Sequence, residues 1–202
     1  INDLINISKI EAGQMEVSRT ETNVNEMLDY LGTFFKPEVE RKKIKLSVLN
    51  PLPAREATIF TDREKLYAIL TNLIKNAIKY TDQGSIAVGY YLRDHTYEFF
   101  VKDTGIGIPE NKQHEVFNRF TQINKSTSSK YEGAGLGLSI AKAYVELLNG
   151  KIWLTSVEGS GSTFYFSIPT VIENVSEMTG HPYIDNAHTS GIPNGLTVLI
   201  AE

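Results

Sequence analysis

Two runs of strict alternation constrain this chain most: Ile86, Val88, Tyr90, Leu92, and then Tyr97, Phe99, Val101, with Arg93-Asp94-His95 between them. Side chains along a strand point to opposite faces in turn, so each run has one apolar face, and three turn residues join the runs as a hairpin. The apolar face of a sheet built on that hairpin needs a cover. The cover lies just upstream, where Leu66, Ile69, Leu70, Leu73, Ile74, Ala77 and Ile78 recur at helical spacing behind Asp62, a good capping residue. Strands grouped in hairpins with helices beside them predict an α+β two-layer sandwich, a mixed β-sheet packed on helices, rather than a doubly wound sheet.

The other elements are read in the same way. Ile1, Leu4, Ile5, Ile7 and Ile10 leave an apolar stripe that Gly13 stops. This helix either packs on its own domain or is the tail of a longer helix from a dimeric bundle. Gln14 to Glu21 alternates weakly, as an edge strand does. Asn23 with Glu26 three residues later starts a helix, and Val24, Met27, Leu28, Leu31, Phe34 and Phe35 carry it to about Lys42. Ile44 to Leu49 and Thr58 to Phe60 read as strands. Pro109 suits the first turn of a short helix reaching Phe117, with Phe117 and Phe120 as core anchors. Residues 121 to 132 are polar and form a loop. Leu136, Ile140, Tyr144, Leu147 and Leu148 make a helix ended by Gly150. Two strands follow, Lys151 to Val157 and Thr163 to Ile168, joined through Gly159 and Gly161. Residues 170 to 195 lack periodicity and read as a linker, and Leu196 to Ala201 is one further strand-like run.

Composition mainly excludes. A net charge of -4 gives nucleic-acid binding no electrostatic support. The absence of cysteine rules out disulfides and thiolate metal sites, and weakly suggests a reducing compartment. No apolar run reaches membrane-spanning length, so no membrane contact is expected of this segment. The chain starts without methionine and stops just after an apolar run, and reads as a fragment of a larger protein.

Chemistry concentrates in a few places. Asp103 follows the strand residues Phe99-Phe100-Val101, and a carboxylate at a strand end by the core needs hydrogen bonds. An adenine amino group is a donor that suits it; guanine offers a carbonyl there and would be rejected. Gly105 and Gly107 let the backbone turn tightly against a flat ring. Asn72 and Asn76 are four apart and share a helix face, with Lys79 and Tyr80 one turn on. Amide carbonyls are hard ligands suited to Mg²⁺, and Lys79 is placed to offset phosphate charge. Taken alone, Asn72 reads rather as a structural hydrogen bonder and Lys79 as a solvated lysine. Gly133-Ala134-Gly135-Leu136-Gly137-Leu138 opens a helix, the arrangement that holds phosphates, or is simply a flexible turn. Arg119 could pair with a terminal phosphate or with a surface acid. Lys125 and Lys130 read as solvated.

Together these residues resemble the catalytic ATP-binding domain of sensor histidine kinases, a Bergerat-fold ATPase related to heat-shock chaperones, type II topoisomerases and MutL. Asn72 to Tyr80 match its N box, Asp103 to Gly107 its G1 box, Phe117-Asn118-Arg119-Phe120 its F box, Gly133 to Leu138 its G2 box, and Gly159 to Phe164 its closing glycine turn. The resemblance implies ATP with Mg²⁺ as cofactors. It implies Asn76, with Asn72, as metal ligands, Lys79 on phosphate and Tyr80 over the adenine. Asp103, with Gly105, Gly107 and Ile108, would hold the adenine. Gly133, Gly135, Leu136, Gly137, Leu138 and Thr163 would complete the nucleotide site. Arg119, Asn76 and Lys79 would serve transfer of the γ-phosphate, and residues 121 to 134 would be the ATP lid. Residues 1–13 resemble the end of the second helix of a dimerisation and phosphotransfer domain. The catalytic domain then covers 14–169, the linker 170–195, and 196–202 resemble the first strand of a receiver, as in a hybrid kinase. The partners implied are a histidine-bearing dimerisation domain of the same protein, as a homodimer, and a receiver or response regulator. No phosphoacceptor context surrounds His95, His114, His181 or His188, so the acceptor histidine is expected elsewhere. The implied location is cytoplasmic, with a parent protein that an inner membrane could anchor. Two rival readings are a nucleotide sensor that holds ATP without transferring it, and a hydrolase of the same fold. Hydrolases of this fold usually carry a carboxylate one helical turn before the magnesium asparagine, where this chain has Asn72.

Overall fold

The computed structural model describes residues 2–121 and 135–170. Its elements run α1 (Asn2–Glu11), β1 (Thr20–Asn23), α2 (Val24–Arg41), β2 (Ile44–Leu49), β3 (Thr58–Thr61), α3 (Arg63–Tyr80), β4 (Gly84–Arg93), β5 (Thr96–Asp103), a 3-10 turn (Glu110–Lys112), α4 (Gly137–Leu147), β6 (Lys151–Val157) and β7 (Gly161–Pro169). Five strands form one mixed sheet in the order β2-β4-β5-β7-β6. Only β2 runs parallel to its neighbour, Ile44 to Leu49 lying beside Gly84 to Gly89. The hairpin closes in the register Arg93↔Thr96, and Asp94 and His95 take left-handed φ values of 45° and 58°, the geometry of a tight two-residue turn.

The helices cover one face of this sheet. All seven apolar residues named for α3 are buried, and they meet Ile86, Val88, Tyr90, Tyr97, Phe99 and Val101 from the hairpin. Each fully buried Leu or Ile of this kind contributes roughly 1.5–3 kcal/mol against the cost of ordering it. Two inward tyrosines keep their hydroxyls satisfied: Tyr90 donates to Asn25 Oδ1 (2.7 Å) and Tyr97 to the Glu56 carbonyl (3.0 Å). On the opposite face Tyr91 stacks on Phe100 and Trp153 on Tyr165, cross-strand pairs at the border with solvent. The α+β two-layer sandwich expected from the pattern is the architecture observed.

α2 is capped by Asn23, whose side chain accepts the Glu26 N–H (3.1 Å). The N-terminal helix lies against α4, with Ile7 buried and Ile5 exposed, and Gly13 ends it at φ 64°.

Several expectations need correction. The strand expected over Gln14 to Glu21 is shorter and later, Thr20–Asn23, and pairs with β3 in a separate two-stranded sheet. The Ser18 N–H goes to the Asp62 carboxylate (2.9 Å) instead of a strand partner. The helix expected from Pro109 to Phe117 is a single 3-10 turn followed by i→i+3 turns, Glu115 N to Lys112 O and Asn118 N to Glu115 O. Phe117 packs edge-on to Phe164, but Phe120 is 65% exposed and outside the core of the described residues. The left-handed residue that closes α4 after Leu147 is Asn149 rather than Gly150: Asn149 takes φ 61°, its N–H returns to Glu146 and the Gly150 N–H to Val145, a Schellman closure. Gly150 is needed for another reason, since a Cβ there would collide with the Ser167 carbonyl. The lid residues 122–134, the linker from 171 on and the 196–202 strand lie outside the described residues.

Candidate functional site

Asp103 closes β5 on the inward face, because Tyr97, Phe99 and Val101 before it point inward at the same two-residue period. It is 6% exposed. Its Oδ1 accepts the N–H groups of Gly105 (2.8 Å) and Ser162 (3.3 Å). Burial pushes the carboxyl pKa above its ordinary value; the two backbone donors oppose this without cancelling it.

The turn after Asp103 is seated on the end of α3. The Ile106 N–H donates to the Tyr80 carbonyl (3.2 Å), and a Cβ on Gly105 would collide with that carbonyl oxygen. Gly107, at φ 66°, packs on the Val157 carbonyl. Both glycines therefore serve close backbone approach within the fold. The Ile108 N–H donates to Ser156 Oγ (2.8 Å), which is 2.9 Å from Ser162 Oγ, and Gln113 Nε2 donates to the carbonyls of Ile108 and Ser156.

From α3 come Asn72, Asn76, Lys79 and Tyr80, all half-buried. Lys79 Nζ lies 5.0 Å from the Tyr80 ring centroid. Asn72 faces the first turn of α4: a Cβ added to Gly137 would lie 3.4 Å from Asn72 Oδ1. The N-box helix and the glycine-rich helix start thus border the same space. Gly135 takes φ 69°, Leu136 is buried and Leu138 half-buried. Gly133 lies outside the described residues. The Phe120 N–H donates to the Gly135 carbonyl (3.1 Å), which brings together the two chain ends that flank residues 122–134. Arg119 is exposed on the turn before this junction.

Thr163 is not where it was expected. It pairs with Lys102 across the sheet, and cross-strand partners share a face, so its side chain is on the side opposite Asp103. Ser162, 7% exposed, is the neighbour of Asp103. The inward period of Phe164, Phe166 and Ile168, run back two residues, reaches Ser162, a signal present in the sequence. Gln113 and Ser156 had no such signal, since their role arises from contacts across 43 and 48 positions. A surface groove of 540 Å³ between α2 and β2, lined by Asp29, Lys36, Val39 and Val48, contains none of these residues.

The family model described as "Histidine kinase-, DNA gyrase B-, and HSP90-like ATPase" matches residues 61–172. The autoinducer 2 sensor kinase/phosphatase LuxQ of Vibrio vulnificus is 37% identical over 84% of this chain and 20% of its own length. The circadian input-output histidine kinase CikA of Synechococcus elongatus is 35% identical over 100% of this chain and 26% of its own length. The chain thus spans about a fifth to a quarter of these relatives. Among solved structures, full-length ShkA in complex with AMPPNP superposes with a TM-score of 0.74 at 27% identity, over 84% of this chain and 35% of that one.

Proposed function

This chain belongs to the family of histidine kinase-, DNA gyrase B- and HSP90-like ATPases, and on that premise we propose that it is the ATP-binding catalytic part of a hybrid sensor histidine kinase. The observation that carries the reading is the buried Asp103 carboxylate, with one oxygen held by two backbone N–H groups and the other left for an adenine amino group. Tyr80, at the end of α3, would cover the ring.

The phosphates would lie between α3 and the start of α4, where Gly135 to Leu138 supply backbone N–H groups and a helix N-terminus. The facing of Asn72 Oδ1 to Gly137 leaves room that any larger residue would fill. Two neutral amide carbonyls, Asn76 and Asn72, suit a Mg²⁺ ion that keeps waters and takes phosphate oxygens. The ion would neutralise charge on the transferring phosphoryl group. Lys79 would swing from the Tyr80 ring to a phosphate. Arg119 would reach the γ-phosphate from the turn beside the lid junction. Catalysis in such a site is positioning and charge neutralisation. The acceptor would be a histidine on a dimerisation bundle, and the phosphate would pass on to a receiver.

The location we infer is cytoplasmic; among the described residues no helix is long and apolar enough to cross a membrane. The test is to mix this chain with γ-labelled ATP, Mg²⁺ and a separate histidine-bearing bundle. Acid-labile label on the bundle, reduced by Arg119→Ala more than ADP binding is, supports the reading. Label on this chain alone that survives replacement of all four histidines would sink it.

A further inference from the structure

We propose that Lys42 is a positioning residue for the nucleotide site, acting through the carbonyl oxygens at the end of α3. The inference rests on the nucleotide reading of that site and adds to it a residue outside every glycine-rich or asparagine-rich motif. Lys42 Nζ lies 2.5 Å from the Ile78 carbonyl, 3.4 Å from that of Lys79 and 3.2 Å from that of Thr81. An ammonium has three donors, and here each faces one acceptor. A helix ends with carbonyls that lack intrahelical partners and with partial negative charge, so a cation at this place satisfies both.

The carbonyl skipped by Lys42 is that of Tyr80, which accepts the Ile106 N–H and bears on Gly105. The last turn of α3 is therefore gripped from two sides, by the α2 corner and by the turn after Asp103. If the ammonium is lost, three carbonyls need new partners, and the turn can relax. The Tyr80 carbonyl would shift with it, and so would the seat of Gly105, Ile106 and the Oδ1 side of Asp103. Tyr80 and Lys79, on the same turn, would lose their placement toward adenine and phosphate. The sequence puts Lys42 there by construction: it caps α2 with its own N–H on the Glu38 carbonyl, and Lys43 at φ 57° turns the chain into β2.

The experiment uses the whole 202-residue chain as Lys42→Met, which keeps the apolar stem without donors, and Lys42→Arg, which keeps charge and donors. ADP-Mg²⁺ binding is measured by calorimetry at a temperature where melting curves show every variant folded. Lys42→Met is expected to weaken binding at least about five-fold, and Lys42→Arg to recover it to within about two-fold. In the nucleotide-free protein, amide exchange at Ile106 should accelerate about ten-fold in Lys42→Met while that of Phe99 is unchanged. A lower melting temperature with unaltered ADP affinity would make Lys42 a plain helix cap and overturn the proposal. So would unaltered Ile106 exchange. If the parent chain itself fails to bind ADP, the nucleotide reading is at fault. Accelerated Ile106 exchange would then still show the coupling through α3, and so separates the two failures.

Discussion

Replacing Asp103 with asparagine separates the two tasks proposed for this carboxylate, holding the turn and binding adenine. The shape is kept, and Oδ1 can still accept the N–H groups of Gly105 and Ser162. What changes is the other position: a carboxylate oxygen becomes an NH₂ donor, set against the amino group of adenine. A hydrogen bond to a charged partner is worth about 1.5–3 kcal/mol, so ADP affinity should fall roughly 10- to 150-fold. Fold stability should not fall, because the variant keeps the turn and removes a buried charge. The pH dependence gives a second signature. Burial holds the Asp103 pKa above its ordinary value. Between the ordinary value and the raised one, the native state binds more protons than the unfolded state, so the Asp103 contribution to stability decreases as pH rises. On the proposed placement, affinity for adenine needs the carboxylate and should increase through the same window. Acidification should therefore weaken ADP binding while this contribution to stability grows, and both trends should vanish in Asp103→Asn. Calorimetric titration of ADP, ATP and GTP across pH, with urea unfolding in parallel and the variant's own curve subtracted for nucleotide protonation, reads both. Equal ADP affinity in variant and parent would refute the placement of adenine on Asp103. A large loss of stability would refute the claim that Oδ1 alone serves the fold.

Asp62→Ala removes the α3 cap, the Ser18 tie and the partner of the buried Lys65 ammonium (2.6 Å), and should cost about 3–5 kcal/mol in urea unfolding. Burial pushes the Asp62 pKa up, but the Lys65 side chain and the Lys65 and Ser18 N–H groups together hold it below the ordinary value. Its stabilisation is thus complete above that ordinary value and is lost as pH falls through the lowered one, a trend that Asp62→Ala should abolish. Thr163→Ala should leave ADP affinity within about two-fold, whereas Ser162→Ala, which strips the Ser156 hydroxyl of a partner, should weaken it about five-fold; the reverse order would restore Thr163 to the site. Gly107→Ala should destabilise by about 2 kcal/mol or more in the same unfolding assay, since left-handed φ costs about 1–2 kcal/mol before the collision with the Val157 carbonyl is counted.

Elements whose apolar period is long and regular were legible from the residues. The α3 face, the presence of the hairpin and Asp103 at a strand end all followed from spacing, because each is decided within one segment; the turn itself is one residue shorter than expected, since Arg93 stays in β4 and pairs with Thr96. The errors fall where partners are remote in sequence. Gln14 to Glu21 looked like a strand because its alternation is local, but Asp62, 44 positions away, takes the Ser18 N–H. Pro109 favoured a helix start, but Gln113 turns inward to the Ile108 carbonyl and to the Ser156 carbonyl 43 positions on. The slip from Ser162 to Thr163 is of another kind. A motif read as a string has no faces, whereas a one-residue shift along a strand inverts every side chain. Gly105 and Gly107 show the same limit, since a string cannot say whether a glycine makes room for a ligand or for another carbonyl.

α3 carries four of the residues assigned to nucleotide and metal, and it is held at both ends by groups that belong to neither. At its start, Asp62 takes the Ser18 and Lys65 N–H groups, and Lys65 Nζ reaches the Glu16 carbonyl (2.6 Å), tying in the segment that follows α1. At its end, Lys42 and Ile106 between them engage the carbonyls of residues 78 to 81. A helix fixed in this way keeps Asn72, Asn76, Lys79 and Tyr80 in constant relation to Asp103. Pre-placed groups bind more tightly because less ordering remains to be done when the ligand arrives. Substitutions at Asp62 or Lys65, at the opposite end of α3 from Tyr80, are therefore expected to reach the nucleotide through the helix. Lys65→Met should weaken ADP binding less than Lys42→Met does, because the loosened end is further from Tyr80 and the Leu66 to Ile78 core face still holds the bar between them. Calorimetry on the two variants decides it: a larger loss of affinity from the distant end would mean that α3 does not act as a rigid support.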